Sequence, residues 1–68
     1  RSKMLTINKL TETLLQELKE ECLTVLSLLN QLETPGISET QENEIFGELS
    51  ARLTHLEIHA KETREQID

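Results

Sequence analysis

The chain has 68 residues, a net charge of −6 and a single cysteine, Cys22. A chain of this length forms at most one domain, residues 1–68, and buries only about 60% of its unfolded surface, so such folds often need a cross-link or a partner. One cysteine excludes an intramolecular disulfide and favours a reducing, cytoplasmic setting. No apolar run approaches the roughly 20 residues of a membrane span, so we expect no membrane association.

The first predicted helix covers about residues 6–32. Its apolar residues recur at intervals of three and four from Ile7 to Leu32, which is the period of an α-helix. Leu15, Leu26 and Leu28 widen this apolar stripe to an arc of about 160°. Two polar residues, Thr11 and Glu21, interrupt it.

A turn is predicted at residues 33–37, "ETPGI". Pro35 disfavours helical geometry at the residue before it, and Gly36 adopts a positive φ at little cost. The next residues, "SETQ", form a capping-box pattern in which Ser38 and Gln41 satisfy each other's backbone N–H groups. A second helix is therefore predicted at about residues 38–66.

The second helix carries a strict heptad pattern. Its seam is predicted to contain Phe46, Leu49, Leu53, Leu56, Ala60, Thr63 and Ile67, and with Ile45 the apolar arc spans about 100°. One partner helix is wide enough to cover such an arc. The short link and the matched helix lengths predict an antiparallel hairpin. The alternative is a two-part rod with an open hinge.

The predicted fold is all-α, a hairpin that pairs into a dimeric four-helix bundle. The arc of the first helix is too wide for one partner helix, so we expect a second copy to cover the remainder, with the first helix making more of the contact. This architecture resembles that of the plasmid copy-number protein Rop, but no sequence motif is shared and no functional residue is transferred. The candidate dimer and core residues are Leu14, Leu15, Leu18, Cys22, Val25, Leu26, Leu29, Phe46, Leu49, Leu53 and Leu56.

Acidic residues surround the predicted turn, and no basic residue occurs from Glu20 to Ala51. They form a candidate surface for a basic protein partner, although a solvated surface is the simpler interpretation. Nucleic-acid binding is disfavoured, because the chain lacks a basic run and a pair of aromatic residues for stacking. The candidate acidic residues are Glu33, Glu39, Glu42, Glu44 and Glu48.

No residue pattern indicates catalysis. "HLEIH", from His55 to His59, differs from the zinc-protease motif because no glutamate directly follows the first histidine. We predict no metal site and no cofactor, and interpret both histidines as solvated or rim residues. Cys22 follows Glu20 and Glu21, which do not activate a thiol, so it is interpreted as a packing residue. The sequence therefore does not favour an enzyme.

Three functions remain open from the sequence. The first is a non-enzymatic dimerisation and protein-interaction module. The second is a small acidic regulator that binds and inhibits a nucleic-acid-binding protein by imitating phosphate charge. The third, with less support, is Rop-like RNA binding at the open end of the hairpin.

Overall fold

The computed structural model describes residues 8–68. Within this range the chain forms two helices, α1 (Lys9–Leu32) and α2 (Glu39–Ile67), which pack against each other. They are antiparallel, since Leu10 lies beside Gln66 at one end and Gln31 lies beside Gln41 at the other. The predicted all-α hairpin is confirmed, and the open rod is excluded.

α1 begins at Lys9 because Asn8 caps it. The backbone of Asn8 is extended, and its side-chain oxygen accepts a hydrogen bond from the Thr11 N–H at 2.7 Å. This is the usual role of asparagine at a helix N-terminus. The start predicted near residue 6 lies outside the described residues. α1 ends at Leu32, where the Glu33 N–H donates to the Asn30 carbonyl at 3.1 Å.

The turn has the chemistry expected from the sequence. Gly36 has a φ of 82°, a conformation that glycine adopts without a steric penalty. The predicted capping box is present at the start of α2. Ser38 Oγ accepts from the Gln41 N–H at 3.1 Å, and Gln41 Oε1 accepts from the Ser38 N–H at 2.9 Å.

The two helices meet along a seam with heptad spacing. Every seam residue is buried or half-buried, and the intervals alternate between three and four on both helices. Leu28, at 4% exposure, is the only buried apolar residue in the described range. The seam consists of Thr11, Leu14, Leu18, Glu21, Val25, Leu28 and Leu32 on α1, and Glu42, Ile45, Leu49, Arg52, Leu56, His59 and Thr63 on α2.

This seam differs from the predicted one on α2. The period is as predicted, but the groove contains Ile45, Arg52 and His59. The residues expected there instead were Phe46, Leu53, Ala60 and Ile67. The helix is rotated so that Arg52 meets Glu21, which α1 buries in the same groove. An unpaired buried carboxylate is costly, which favours this rotation.

The apolar stripe of α1 is also divided differently from expectation. Leu28 was expected outside the groove and is instead its most deeply buried apolar side chain. Thr11 and Glu21, which interrupt the apolar stripe, are both buried within the seam. The stripe therefore supplies residues to the seam and to a neighbouring surface.

The described hairpin is a single layer of helices. Its extents are 48 × 21 × 15 Å and its radius of gyration is 15.5 Å, against about 11 Å for a compact domain of this length. Domains usually enclose their core between at least two layers. Neither described helix has the length and apolar character needed to cross a membrane.

Candidate protein-binding face

One side of the hairpin is polar. Three shallow grooves run along it between the helices, flanked by Leu10 and Glu62, by Glu17 and His59, and by Gln31 and Gln41. Heptad spacing places the remaining members on the same side. We call this side the polar face, and its residues are Glu17, Thr24, Gln31, Gln41, Glu48, His55 and Glu62.

The opposite side of the hairpin is apolar. Seven of its residues lie next to the seam on the side away from the grooves, and Leu26 lies one row further out, beside Leu29. Both helices contribute four residues. Five of the large side chains are exposed by between 43% for Leu29 and 60% for Ile67. A contiguous apolar surface of this kind usually marks an interaction site. We call it the apolar face, and it consists of Leu15, Cys22, Leu26, Leu29, Phe46, Leu53, Ala60 and Ile67.

A polar cluster interrupts the seam near the middle of the hairpin. Glu21 is only 8% exposed, and its Oε2 lies 3.6 Å from Arg52 Nη1 and 3.7 Å from His55 Nδ1. The Arg52 and His55 side chains reach solvent, at 40% and 58% exposure. The cluster is therefore a carboxylate held under a half-exposed guanidinium and an exposed imidazole.

Three buried polar atoms of the described seam lack a hydrogen-bond partner: Glu21 Oε2, His59 Nδ1 and Thr63 Oγ1. The ion pairs of Glu21 are longer than a hydrogen bond, so they do not satisfy this oxygen. Each unsatisfied buried atom costs about 1–3 kcal/mol. The seam is thus a weak core by itself, which favours further apolar burial elsewhere on the hairpin.

The predicted dimer and core residues fall into two groups. Leu14, Leu18, Val25, Leu49 and Leu56 are half-buried in the seam. The other six lie on the apolar face, where all but the half-buried Leu15 are exposed. They are Leu15, Cys22, Leu26, Leu29, Phe46 and Leu53.

Sequence reasoning missed Arg52 and His59 as seam residues. The available signal was Glu21, a carboxylate inside an apolar stripe, which needs a cation from the facing helix. The sequence also predicted that α1 makes more of the dimer contact than α2. In the structure α1 contributes Leu15, Cys22, Leu26 and Leu29, and α2 contributes as many residues.

The predicted acidic residues do not share one surface. Glu42 is half-buried in the seam, Glu48 lies on the polar face, and Glu33 caps the end of α1. Glu39 and Glu42 occupy the first turn of α2, where negative charge stabilises the helix dipole. At least two of the five therefore have a local structural role.

The two histidines have different surroundings. His55 lies on the polar face beside Glu21, whereas His59 is half-buried in the seam. Within residues 8–68, no three His, Cys, Asp or Glu side chains are grouped to hold a metal ion. Cys22 is a free, exposed thiol on the apolar face, so its packing role depends on whatever covers that face.

Comparison of the chain with protein-family models, with curated proteins and with solved structures finds no significant match. The geometry of the hairpin is accordingly the basis for a functional proposal. Within the described residues, the apolar face is the feature that points most directly to a role.

Proposed function

We propose that this chain is a non-enzymatic dimerisation and protein-interaction module. A second copy covers the apolar face, and the two hairpins form a four-helix bundle. The observation that carries this proposal is the exposure of Leu26, Leu29, Phe46 and Leu53 on one side of a single helical layer. Four-helix bundles commonly bury such a surface against a second helix pair.

The layering of the apolar face supports a second copy as its occupant. Glu17 of α1 and His59 of α2 flank the same groove. Counting in opposite directions from this pair places Leu15 beside Ala60, Cys22 beside Leu53 and Leu29 beside Phe46, each to within one residue. Both helices therefore supply side chains at the same three levels, as facing layers of a bundle require.

The position of Cys22 is compatible with a reducing compartment. Its thiol is exposed in one hairpin and would be covered in the dimer. Such a thiol stays reduced in the cytoplasm, and there it acts as a small apolar residue. We therefore propose a cytoplasmic setting for the module.

The acidic-regulator alternative has weaker support. Phosphate mimicry needs acidic groups that converge on one partner, whereas Glu42 is half-buried in the seam and Glu48 lies on the polar face. Glu39 and Glu42 already stabilise the N-terminus of α2. The apolar face is the more continuous surface.

Sedimentation equilibrium of the purified chain tests the proposal. At micromolar concentration we expect a mass of twice the 7.8 kDa of the chain. The apolar driving force should persist at high salt, because salt screens charges but not hydrophobic contacts. A folded monomer at these concentrations would refute the proposal.

A further inference from the structure

A row of polar side chains borders the apolar face on its outer edge. Each member that lies within a helix precedes an apolar-face residue by three positions, so it lies beside that residue on the helix. For example, Lys19 precedes Cys22, and Glu57 precedes Ala60. We call this row the outer rim, and its polar members are Glu12 and Lys19 on α1, Glu33 at the C-cap of α1, and Asn43, Ser50, Glu57 and Arg64 on α2.

The grooves of the polar face fix which rim residues lie level with each other. Glu17 and His59 flank one groove and are therefore level with each other. Because the helices are antiparallel, Lys19, two residues after Glu17, is level with Glu57, two residues before His59. Leu14 and Glu62 flank another groove. The same count in the other direction puts Glu12 level with Arg64.

Two hairpins can cover each other's apolar faces in two ways. If both turns lie at the same end, the two-fold axis runs along the helices, and α1 faces the partner's α2. Every residue then faces the residue that is level with it. If the turns lie at opposite ends, α1 lies antiparallel to the partner's α1. The apolar residues of the two α1 helices then overlap fully when the two-fold axis passes near Cys22.

We propose that the two hairpins dock with their turns at the same end, an inference that rests on the dimer proposed above. In this arrangement Lys19 faces the partner's Glu57, and Glu12 faces the partner's Arg64. The two-fold axis repeats both pairs, so four opposite-charge pairs border the interface. Charges that flank a helical interface select partner orientation in this way.

The opposite-end arrangement loses this complementarity. Glu12 and Glu33 are equidistant from Cys22 to within one residue, so each Glu12 would face the partner's Glu33. Lys19 would face the partner's Leu26. Two like-charge contacts would replace four attractive ones, and like charges disfavour an arrangement.

The polar residues near the turn fit the same-end arrangement. Continuing the count, Glu33 is level with Asn43, so each Glu33 would face the partner's Asn43, whose amide group can donate a hydrogen bond to a carboxylate. Lys19 and Glu57 lie on opposite edges of one hairpin, and no ion pair joins them within residues 8–68. Both are therefore free to pair across the interface.

A charge-reversal cycle tests the arrangement. Lys19→Glu and Glu57→Lys should each raise the dimer dissociation constant about tenfold, since each affects two rim pairs per dimer. The double variant should return to within about threefold of the unmodified chain. The cycle separates the contribution of the pair across the interface from effects within one helix. One such effect is the loss of charge attraction between Glu57 and Lys61, which are four residues apart on α2.

Disulfide trapping gives an independent measurement. Same-end docking places the two Cys22 residues diagonally across the bundle, about 14 Å apart for helices about 10 Å apart, which is beyond the reach of a disulfide. Mild oxidation should leave Cys22 unpaired, whereas Lys19→Cys with Glu57→Cys in a Cys22→Ser background should give an inter-chain disulfide.

The outcomes distinguish this inference from the dimer itself. A dimer with additive charge effects and ready Cys22–Cys22 cross-linking would overturn same-end docking while leaving the dimer in place. A monomer in sedimentation equilibrium would instead remove the dimer and the docking mode together. Restored affinity in the double reversal, with no Cys22 cross-link, would support the inference.

Discussion

Arg52 Nη1 lies 3.6 Å from Glu21 Oε2, and this pair joins the two helices at the middle of the hairpin. Glu21 is almost completely buried, while Arg52 remains partly exposed. The pair holds a charged layer inside a seam that is otherwise built mostly from leucine and threonine. Its geometry explains why α2 turns Phe46 and Leu53 away from the groove.

Removal of Arg52 should destabilise the hairpin. Arg52→Ala leaves the Glu21 carboxylate buried beside His55 alone, and we expect a loss of about 1–3 kcal/mol in the free energy of unfolding, less than for a fully buried pair because Arg52 is partly exposed. Urea unfolding followed by circular dichroism, at one fixed protein concentration, measures this loss. Lys61→Ala, at an exposed position of α2 outside the seam, both faces and the outer rim, is the exposed-cation control.

Replacement of both members of the pair should have the opposite sign. Glu21→Leu with Arg52→Leu removes the desolvated charges and fills the seam with apolar side chains, so the double variant should be at least as stable as the unmodified chain. If it were less stable than the unmodified chain, the charged layer would be a net source of stability. The sign of this difference decides whether Glu21 stabilises the fold or only fixes its register.

Leu28 should be the most sensitive apolar position of the seam. Leu28→Ala removes the most buried apolar side chain of the described chain, and the expected loss is about 2–3 kcal/mol, at the low end of the range for core leucines because the seam is narrow. Leu23→Ala is the matched control, since Leu23 is 56% exposed and lies away from the seam. It should change the free energy of unfolding by less than about 0.5 kcal/mol. Equal losses at both positions would contradict the observed seam.

The elements that sequence patterns predict well here are local ones. Ser38 and Gln41 form a capping box through contacts three residues apart, and Gly36 takes its positive φ within the turn itself. The period of α2 is also a local property. Because an apolar arc tolerates rotation by one position, the heptad pattern alone did not determine whether Leu53 or Arg52 faces α1. That choice depends on Glu21, a residue on the other helix.

The candidate face was only partly predictable for the same reason. Six of its residues were among the predicted dimer and core residues, but Phe46 and Leu53 were expected in the groove between the helices and Leu28 outside it. A helical wheel treats each helix as straight, whereas a heptad seam winds around it, so assignments drift along the helix. Residues near the edge of an arc are the first to be misplaced.

The two described glycines should respond to the same substitution with opposite signs. Gly36→Ala forces a side chain into a φ of 82° and should cost about 1 kcal/mol. Gly47→Ala adds a methyl group within α2, where nothing lies within 4 Å, and should stabilise the helix by about 0.5–1 kcal/mol. Thermal unfolding of both variants measures the difference. A loss at Gly47 comparable to that at Gly36 would indicate that a partner packs closely against this side of α2.

Charged substitutions should separate the apolar face from other exposed apolar residues. Leu26 and Ile58 are similarly exposed, at 54% and 49%, but only Leu26 lies on the apolar face. Leu26→Glu should shift the sedimentation-equilibrium mass to that of a monomer at micromolar concentration, because dimerisation would bury two unpaired carboxylates. Ile58→Glu should leave the dimer intact, since its side chain points away from the seam and from the proposed interface.

The helical content of both variants should be compared by circular dichroism, since a dimer that stabilises its own fold loses helix when it dissociates. On dilution, the Leu26→Glu variant should therefore begin to lose helix at a higher protein concentration than the Ile58→Glu variant does. If Ile58→Glu dissociated the dimer and Leu26→Glu did not, the interface would lie on the outer side of α2. Equal effects of the two substitutions would indicate non-specific association through exposed apolar residues.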